Sequence, residues 1–167
     1  MTGALLNLAA AALVVGDRLV LAGVVFVVGS LLDMLDGTLA RLAQKVSPFG
    51  AFLDSTLDRA SEGIVLAAVA YRLAEQGRSV DAALVVVALL GSLLVSYTRA
   101  RAEALGLECK VGFMSRPERV VLLSIGLFFD LLPYVVYLLV VLTTVTVGQR
   151  VAHTYRQLRP AEDAAGE

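Results

Sequence analysis

Residues 33–58 read DMLDGTLARLAQKVSPFGAFLDSTLD and place four aspartates within 26 residues. Apolar runs lie on both sides of this stretch: LVLAGVVFVVGSLL precedes it and GIVLAAVAYRL follows a few residues later. Carboxylates next to hydrocarbon are costly, and where they occur they usually mark a functional site. The stretch therefore predicts a site built from acidic side chains within a membrane protein.

The composition of the whole chain supports a membrane class. Of the 167 residues, 58% are hydrophobic and the mean hydropathy is +0.80, whereas soluble domains contain about 45–50% apolar residues. The net charge of −1 gives no reason to expect a nucleic-acid partner, and the single cysteine, Cys109, excludes a disulfide within the chain. Residues 1–15 lack the basic start and the cleavage site of a signal peptide.

Apolar runs separated by segments that contain Gly, Pro or charged residues predict an all-α integral membrane protein with six transmembrane helices. The first helix is expected to be short or cut at its N-terminus. Residues 1–159 are predicted to form one membrane-embedded domain, and residues 160–167 a polar C-terminal tail without fixed structure. The six predicted helices cover residues 3–15, 18–44, 50–76, 79–105, 116–131 and 133–157.

Basic residues are distributed unevenly between the two ends of these helices. By the positive-inside rule, the richer end is cytoplasmic, which predicts a multi-pass protein of the cell membrane with its acidic site on the cytoplasmic side. The poorer end holds Arg18, Arg72 and Arg78. The richer end holds Arg41, Lys45, Arg59, Arg99, Arg101, Lys110, Arg116, Arg119, Arg150, Arg156 and Arg159.

Helical spacing predicts that the four aspartates converge. Asp33 and Asp36 are three residues apart, and Asp54 and Asp58 are four apart, so each pair lies on one helix face. A short connection makes the two helices antiparallel neighbours. Four carboxylates without a cation would repel one another, and their oxygens suit a hard divalent ion such as Mg²⁺ or Mn²⁺.

The residues next to Asp36 are suited to a bulky phosphate ligand. Gly37 and Ala40 are small and let a ligand approach the helix backbone, and Arg41 is placed to hold a phosphate. The plainer alternative is that the aspartates pair with Arg41, Lys45 and Arg59 as ordinary loop charges. The regular spacing of all four carboxylates favours the metal site.

The complete pattern resembles the signature of the CDP-alcohol phosphatidyltransferases. It runs Asp33-x-x-Asp36-Gly37-x-x-Ala40-Arg41, then eight residues to Gly50, then x-x-x-Asp54-x-x-x-Asp58. The resemblance implies transfer of the phosphatidyl group of a CDP-lipid, either CDP-diacylglycerol or an archaeal equivalent, to an alcohol with release of CMP. It also implies a homodimer. The implied roles are metal binding by Asp33, Asp36, Asp54 and Asp58, base catalysis by Asp58, and binding of the CDP-lipid by Gly37, Ala40 and Arg41.

A second stretch, SYTRARAEALGLECKVGFMSRPERVV at residues 96–121, is similar to the phosphatidylinositol phosphate and archaetidylinositol phosphate synthases within that family. This resemblance implies inositol phosphate as the acceptor alcohol. The related enzymes often carry Lys where this chain has Arg99. The residues implied to bind the acceptor phosphate are Ser96, Arg99, Arg119 and Arg150.

Three alternatives remain open from the sequence. The same chemistry could act on another alcohol such as glycerol 3-phosphate, as in phosphatidylglycerophosphate synthases. The aspartates could instead form the transport site of a divalent-cation carrier, although a carrier has no need for an arginine cluster that receives an anion. An inactive scaffold is the third alternative, and the complete motif disfavours it.

Overall fold

A computed structural model describes the backbone of residues 2–42 and 47–165 and the side chains of residues 2–35 and 47–159. All regular elements in these ranges are α-helices, and the predicted all-α fold with six helices is confirmed. The helices are α1 (Thr2–Val15), α2 (Leu19–Leu42), α3 (Pro48–Glu75), α4 (Ser79–Ala104), α5 (Arg116–Phe128) and α6 (Leu132–Ala165).

Local chemistry sets the ends of several helices. The Ser47 hydroxyl accepts a hydrogen bond from the Gly50 N–H at 2.9 Å and caps α3, whose first residue is Pro48. The helix predicted over residues 116–131 ends earlier, at Phe128, because Asp130 adopts a left-handed conformation with φ 52°. The N–H of Leu131 then donates to the Gly126 carbonyl at 3.0 Å and closes the helix end.

The last helix is longer than the sequence predicts. It continues to Ala165, through most of the segment that was expected to be a tail without fixed structure. Alanine and glutamate are strong helix formers, and the residues after Pro160 contain Ala161, Glu162 and two further alanines. The polar composition of this segment therefore misled the prediction of its backbone.

The packing of α1 corrects one predicted neighbour relation. The sequence places α2 and α3 side by side because their connection is short. In the structure α2 and α3 have few contacts with each other, and α1 packs against both of them. The buried cluster that joins these helices includes Val14, Phe26 and Val69. This arrangement leaves a space between the acidic ends of α2 and α3.

Within the residues whose side chains the structure describes, two helices are long and apolar enough to cross a bilayer: α4 over Ser79–Ala104 and α6 over Leu132–Arg159. Shorter apolar stretches in these residues cover Thr2–Val15 and, as the described part of α2, Leu19–Leu35. Large apolar side chains such as Val86 (62% exposed) point outward from the bundle, as expected of a surface in contact with lipid. The presence of apolar spans is confirmed, and their total number of six stays a prediction.

A charged cluster holds together the end of the bundle that carries few basic residues. The buried guanidinium of Arg72 in α3 binds Asp17 at 2.8 Å and Asp130 at 3.3 Å. Both aspartates have positive φ, 58° and 52°, and each terminates a helix. One arginine thus fixes the turn between α1 and α2 and the turn between α5 and α6.

We expect Arg72→Met to destabilise the protein by about 1–2 kcal/mol, because two turns lose their shared partner while both aspartates stay solvated. The measurement is the apparent unfolding temperature of purified protein in detergent. Arg18→Met is the matched control at the same end: Arg18 is exposed, and the expected change is within about 0.5 kcal/mol. Equal effects of the two substitutions would contradict the role given to Arg72.

Candidate active site

A cavity of about 780 Å³ opens at the end of the bundle where the basic residues are concentrated. Its walls come from α2 to α6, so residues far apart in the sequence meet there. Every predicted site residue whose side chain the structure describes lines this cavity. These residues are Asp33, Asp54, Asp58, Ser96, Arg99, Arg119 and Arg150.

One wall of the cavity, here called the acidic wall, carries Asp33, Asp54, Asp58 and Glu62, and most of it comes from helix α3. Asp54, Asp58 and Glu62 are spaced four residues apart and all line the cavity, as one face of a helix requires. The cap at Ser47 starts α3 just before this face. The Asp58 side chain is largely buried, with 19% of it exposed. It lies close enough to Asp54 and Asp33 for electrostatic repulsion between the carboxylates.

Asp33 brings the carboxylate of α2 into the same cavity. Its side chain is 7% exposed and packs against the backbone of Gly3 in α1. A Cβ atom at Gly3 would lie 2.1 Å from Asp33 Oδ1, so only glycine permits this approach. Asp36, Gly37, Ala40 and Arg41 follow in α2, and their side chains lie outside the described residues.

A second wall of the cavity, here called the basic wall, carries Arg99, Arg119 and Arg150, and helices α4 and α6 supply much of it. Arg99 in α4 is half-exposed and binds Glu103, one turn later, at 2.8 Å. Arg150 in α6 is buried, and its Nε donates to the Val111 carbonyl at 2.9 Å while Nη1 donates to the Val95 carbonyl. Backbone oxygens therefore fix the Arg150 guanidinium without neutralising its charge.

Arg119 in α5 forms a buried, two-pronged ion pair with Glu62 in α3. Nε lies 2.6 Å from Oε1 and Nη2 lies 2.8 Å from Oε2, with side-chain exposures of 4% and 11%. The remaining Nη1 donates to the Met114 carbonyl at 3.3 Å. Planar bidentate pairs of this kind fix orientation as well as distance. The pair joins the acidic helix to the basic wall, and the predicted binding of the acceptor phosphate by Arg119 stays a prediction.

Arg116, the first residue of α5, connects the acidic carboxylates directly. Its Nη1 lies 2.6 Å from Asp58 Oδ2 and its Nη2 lies 3.8 Å from Asp33 Oδ2. The Arg116 Nε is buried and has no hydrogen-bond partner among the described residues. One guanidinium thus reaches carboxylates from both α2 and α3.

The segment between α4 and α5 positions Arg150. Gly112 has φ 109°, and a Cβ atom there would lie 2.5 Å from Thr146 Cγ2 and 3.4 Å from Arg150 Nε. The Met114 N–H donates to Thr146 Oγ1 at 3.1 Å. Glycine is therefore required at this position, both for the backbone conformation and for the close approach of α6.

The acidic wall fits a hard divalent cation by its chemistry. Its donors are carboxylate oxygens, and a positively charged group, the Arg116 guanidinium, already bridges two of them. Among the side chains that the structure describes, no three acidic or imidazole groups are close enough together to form a complete metal site. The fourth predicted ligand, Asp36, lies outside those residues.

Three positioning residues were missed from the sequence. Glu62 continues the four-residue spacing of Asp54 and Asp58, and this signal could have identified it. Arg116 was expected to converge with Arg99, Arg119 and Arg150 at the end rich in basic residues. Its contacts with the aspartates were missed, because these carboxylates are more than 50 residues away. Gly112 gave no signal that separates it from an ordinary loop glycine.

The fold and the cavity define an all-α protein with apolar spans and one site in which carboxylates face arginines. The profile of the CDP-alcohol phosphatidyltransferase family matches residues 1–149, and the chain belongs to this family. It is a transferase of phospholipid biosynthesis, and the resemblance seen in the sequence is confirmed.

Individual relatives are similar over most of the chain. An archaetidylinositol phosphate synthase of Pyrococcus horikoshii is 40% identical over 140 residues, which cover 83% of this chain and 72% of that protein. The crystal structure of Mycobacterium tuberculosis phosphatidylinositol phosphate synthase with CDP-DAG bound superposes with a TM-score of 0.83 at 32% identity, covering 92% of this chain and 82% of that one. A second structure of the mycobacterial enzyme, in complex with manganese and citrate, gives a TM-score of 0.81 at 30% identity, covering 92% and 78% of the two chains.

We expect Glu62→Ala to destabilise the protein by about 3–5 kcal/mol, because it leaves the buried Arg119 charge without its partner. The measurement is the loss of folded protein on heating in detergent. Glu103→Ala is the matched control: it breaks the half-exposed pair with Arg99 and should cost about 0–1 kcal/mol. If both variants melted together with the wild type, the Glu62–Arg119 pair would not hold α3 to α5.

Proposed function

We propose that the protein transfers the phosphatidyl group of a CDP-lipid to a hydroxyl of inositol phosphate and releases CMP. One observation carries this proposal: a single cavity combines the three described aspartates of the family signature with Ser96, Arg99, Arg119 and Arg150. The names of the similar archaeal and mycobacterial proteins support the choice of acceptor.

The basic wall is the proposed binding site for the phosphate of the acceptor. The planar guanidinium group of an arginine can donate hydrogen bonds to two oxygens of the same phosphate at once. Arg99 is exposed to the cavity and can exchange its Glu103 partner for a ligand, whereas Arg150 is held rigid by backbone carbonyls. Arg119 is paired with Glu62, which neutralises most of its charge, so Arg99 and Arg150 are the main proposed partners of the phosphate and Arg119 positions the wall.

The acidic wall is the proposed site of the donor and of the metal. Asp33, Asp36, Asp54 and Asp58 would hold Mg²⁺ or Mn²⁺, in keeping with the manganese in the mycobacterial structure. When bound, the metal neutralises charge on the diphosphate and on the departing CMP. Gly37, Ala40 and Arg41 would bind the cytidine diphosphate.

Asp58 is the proposed general base. A hydroxyl is a weak nucleophile at neutral pH and needs a positioned proton acceptor. Asp58 takes the proton of the acceptor hydroxyl, the oxygen bonds to the lipid-side phosphorus, and the bond from that phosphorus to the CMP oxygen breaks. The position of Asp58 in the cavity, in contact with Arg116 and beside the other aspartates, supports this role, because the two substrates are proposed to meet there.

The membrane setting of the site is also a proposal. We place six spans in the cell membrane with the cavity on the cytoplasmic side, because basic residues concentrate at that end. The family resemblance supports a homodimer, and the donor lipid would reach the site from the bilayer.

Purified protein given CDP-lipid, labelled inositol phosphate and Mg²⁺ or Mn²⁺ is expected to form CMP and labelled lipid. Asp58→Asn should lower the rate by at least about 100-fold, because it removes the base and one negative charge. Asp17→Asn, the same exchange at an exposed position of the opposite end, is the control and should keep activity.

The same assay separates the alternatives. Product from glycerol 3-phosphate but not from inositol phosphate would assign the chain to the phosphatidylglycerophosphate synthases. Metal flux into liposomes without nucleotide, together with no CMP release, would favour the cation carrier. An Asp58→Asn variant as active as the wild type would remove Asp58 from the chemistry.

Arg99→Gln is expected to raise KM for inositol phosphate by about 10–100-fold, the effect of losing a hydrogen bond to a charged group. KM for the CDP-lipid should stay within a few-fold, because the donor binds the acidic wall. Arg101→Gln is the control, since Arg101 is exposed, two residues away and outside the cavity lining. Equal changes in KM for both substrates would contradict a separate acceptor site.

A further inference from the structure

We propose that Arg116 competes with the divalent cation for Asp33 and Asp58, so that the guanidinium must leave these carboxylates when the metal binds. This inference rests on the proposed metal site of the acidic wall. It concerns the metal-binding equilibrium of the chain's own residues and adds an exchange of cations to the proposed function.

The contacts of Arg116 place it where a metal bound by these carboxylates would have to compete. Its Nη1 is 2.6 Å from Asp58 Oδ2, and its Nη2 is 3.8 Å from Asp33 Oδ2. Asp33 belongs to α2 and Asp58 to α3, and these helices have few contacts with each other. The guanidinium therefore spans the gap across which the predicted metal ligands must act together.

Arg116 differs from the two buried arginines of the cavity, Arg119 and Arg150, in how completely it is bound. Arg119 uses three nitrogens, two on Glu62 and one on a backbone carbonyl. Arg150 is held by two backbone carbonyls. The Arg116 Nε lacks a partner among the described residues, and 25% of its side chain is exposed to the cavity. Among the described residues, Arg116 thus has one contact within hydrogen-bond distance, to Asp58, against two for Arg150 and three for Arg119.

A divalent ion and a guanidinium cannot share these oxygens without cost. A metal takes the carboxylate lone pairs at short range, and two cations on the same carboxylates repel each other strongly in a partly buried site. The stronger charge of the metal favours its side of the exchange. Arg116 then becomes a free cation inside the cavity that Arg99 and Arg150 also line.

This exchange implies that the metal binds to the acidic wall before the acceptor phosphate binds to the basic wall. Before the metal binds, Arg116 neutralises part of the acidic wall. After the metal binds, the released guanidinium adds to the positive charge available for the acceptor phosphate. Binding of the metal and binding of the anion should therefore strengthen each other, as linkage requires.

The test is Mn²⁺ binding to the purified full chain in detergent, by calorimetry or electron paramagnetic resonance, with neither substrate present. Arg116→Gln is expected to bind Mn²⁺ about tenfold more tightly than the wild type, because the competing cation is gone. Arg99→Gln removes the same charge from the same cavity but from a residue paired with Glu103, and its affinity should change by less than about twofold.

The outcomes separate this inference from the proposed function. If the wild type binds Mn²⁺ and Arg116→Gln binds it equally or more weakly, the competition is wrong while the proposed function stands. If Arg99→Gln tightens binding as much as Arg116→Gln, general electrostatics explains the effect and the exchange is wrong. If the wild type binds no Mn²⁺, the metal site itself fails.

A second variant and a structure keep the test decisive. Should Arg116→Gln not fold, Arg116→Lys takes its place, because lysine keeps the charge but cannot reach two carboxylates with one planar fork. Tighter Mn²⁺ binding by the Lys variant supports the exchange, and unchanged binding contradicts it. In a structure with Mn²⁺, the Arg116 Nη1–Asp58 Oδ2 contact of 2.6 Å is expected to be broken, and its persistence would overturn the proposal.

Discussion

The site depends on the buried ion pair between Glu62 and Arg119. Glu62 lies on the same face of α3 as Asp54 and Asp58, and Arg119 lies one turn after Arg116 in α5. The pair therefore fixes the distance between the carboxylates and the arginine that contacts them. Each charge alone would be expensive to bury, so neither can be lost without moving one wall of the cavity against the other.

The two ends of the bundle use charge in different ways. At one end Arg72 is matched by two exposed aspartates that terminate helices, and this cluster serves the structure. At the other end the cavity holds carboxylates and guanidinium groups on opposite walls, with Arg116 as the link between them. The excess of charge at that end fits a site that receives charged ligands.

The sequence was sufficient for features that depend on local spacing. The six helices and the convergence of Asp54 and Asp58 follow from helical periodicity, and the family follows from a motif of fixed intervals. The separation of α2 from α3 could not be predicted, because it depends on the way α1 packs against both of them. The ion pair between Arg119 and Glu62 could not be predicted for the same reason. Glu62 is 57 residues away in the sequence and becomes a neighbour of Arg119 only in the folded bundle.

The division of the cavity into two walls bears on how the acceptor could be chosen. The carboxylates proposed for the metal and the base come from α2 and α3, whereas Arg99 and Arg150 come from α4 and α6. A change on α4 or α6 can therefore alter the fit of the alcohol without moving the carboxylates. Helix α5 is the exception, because it contacts Asp58 through Arg116 and Glu62 through Arg119. Substitutions in α5 should thus affect donor and acceptor together, and specificity is more easily adjusted on the helices that flank it.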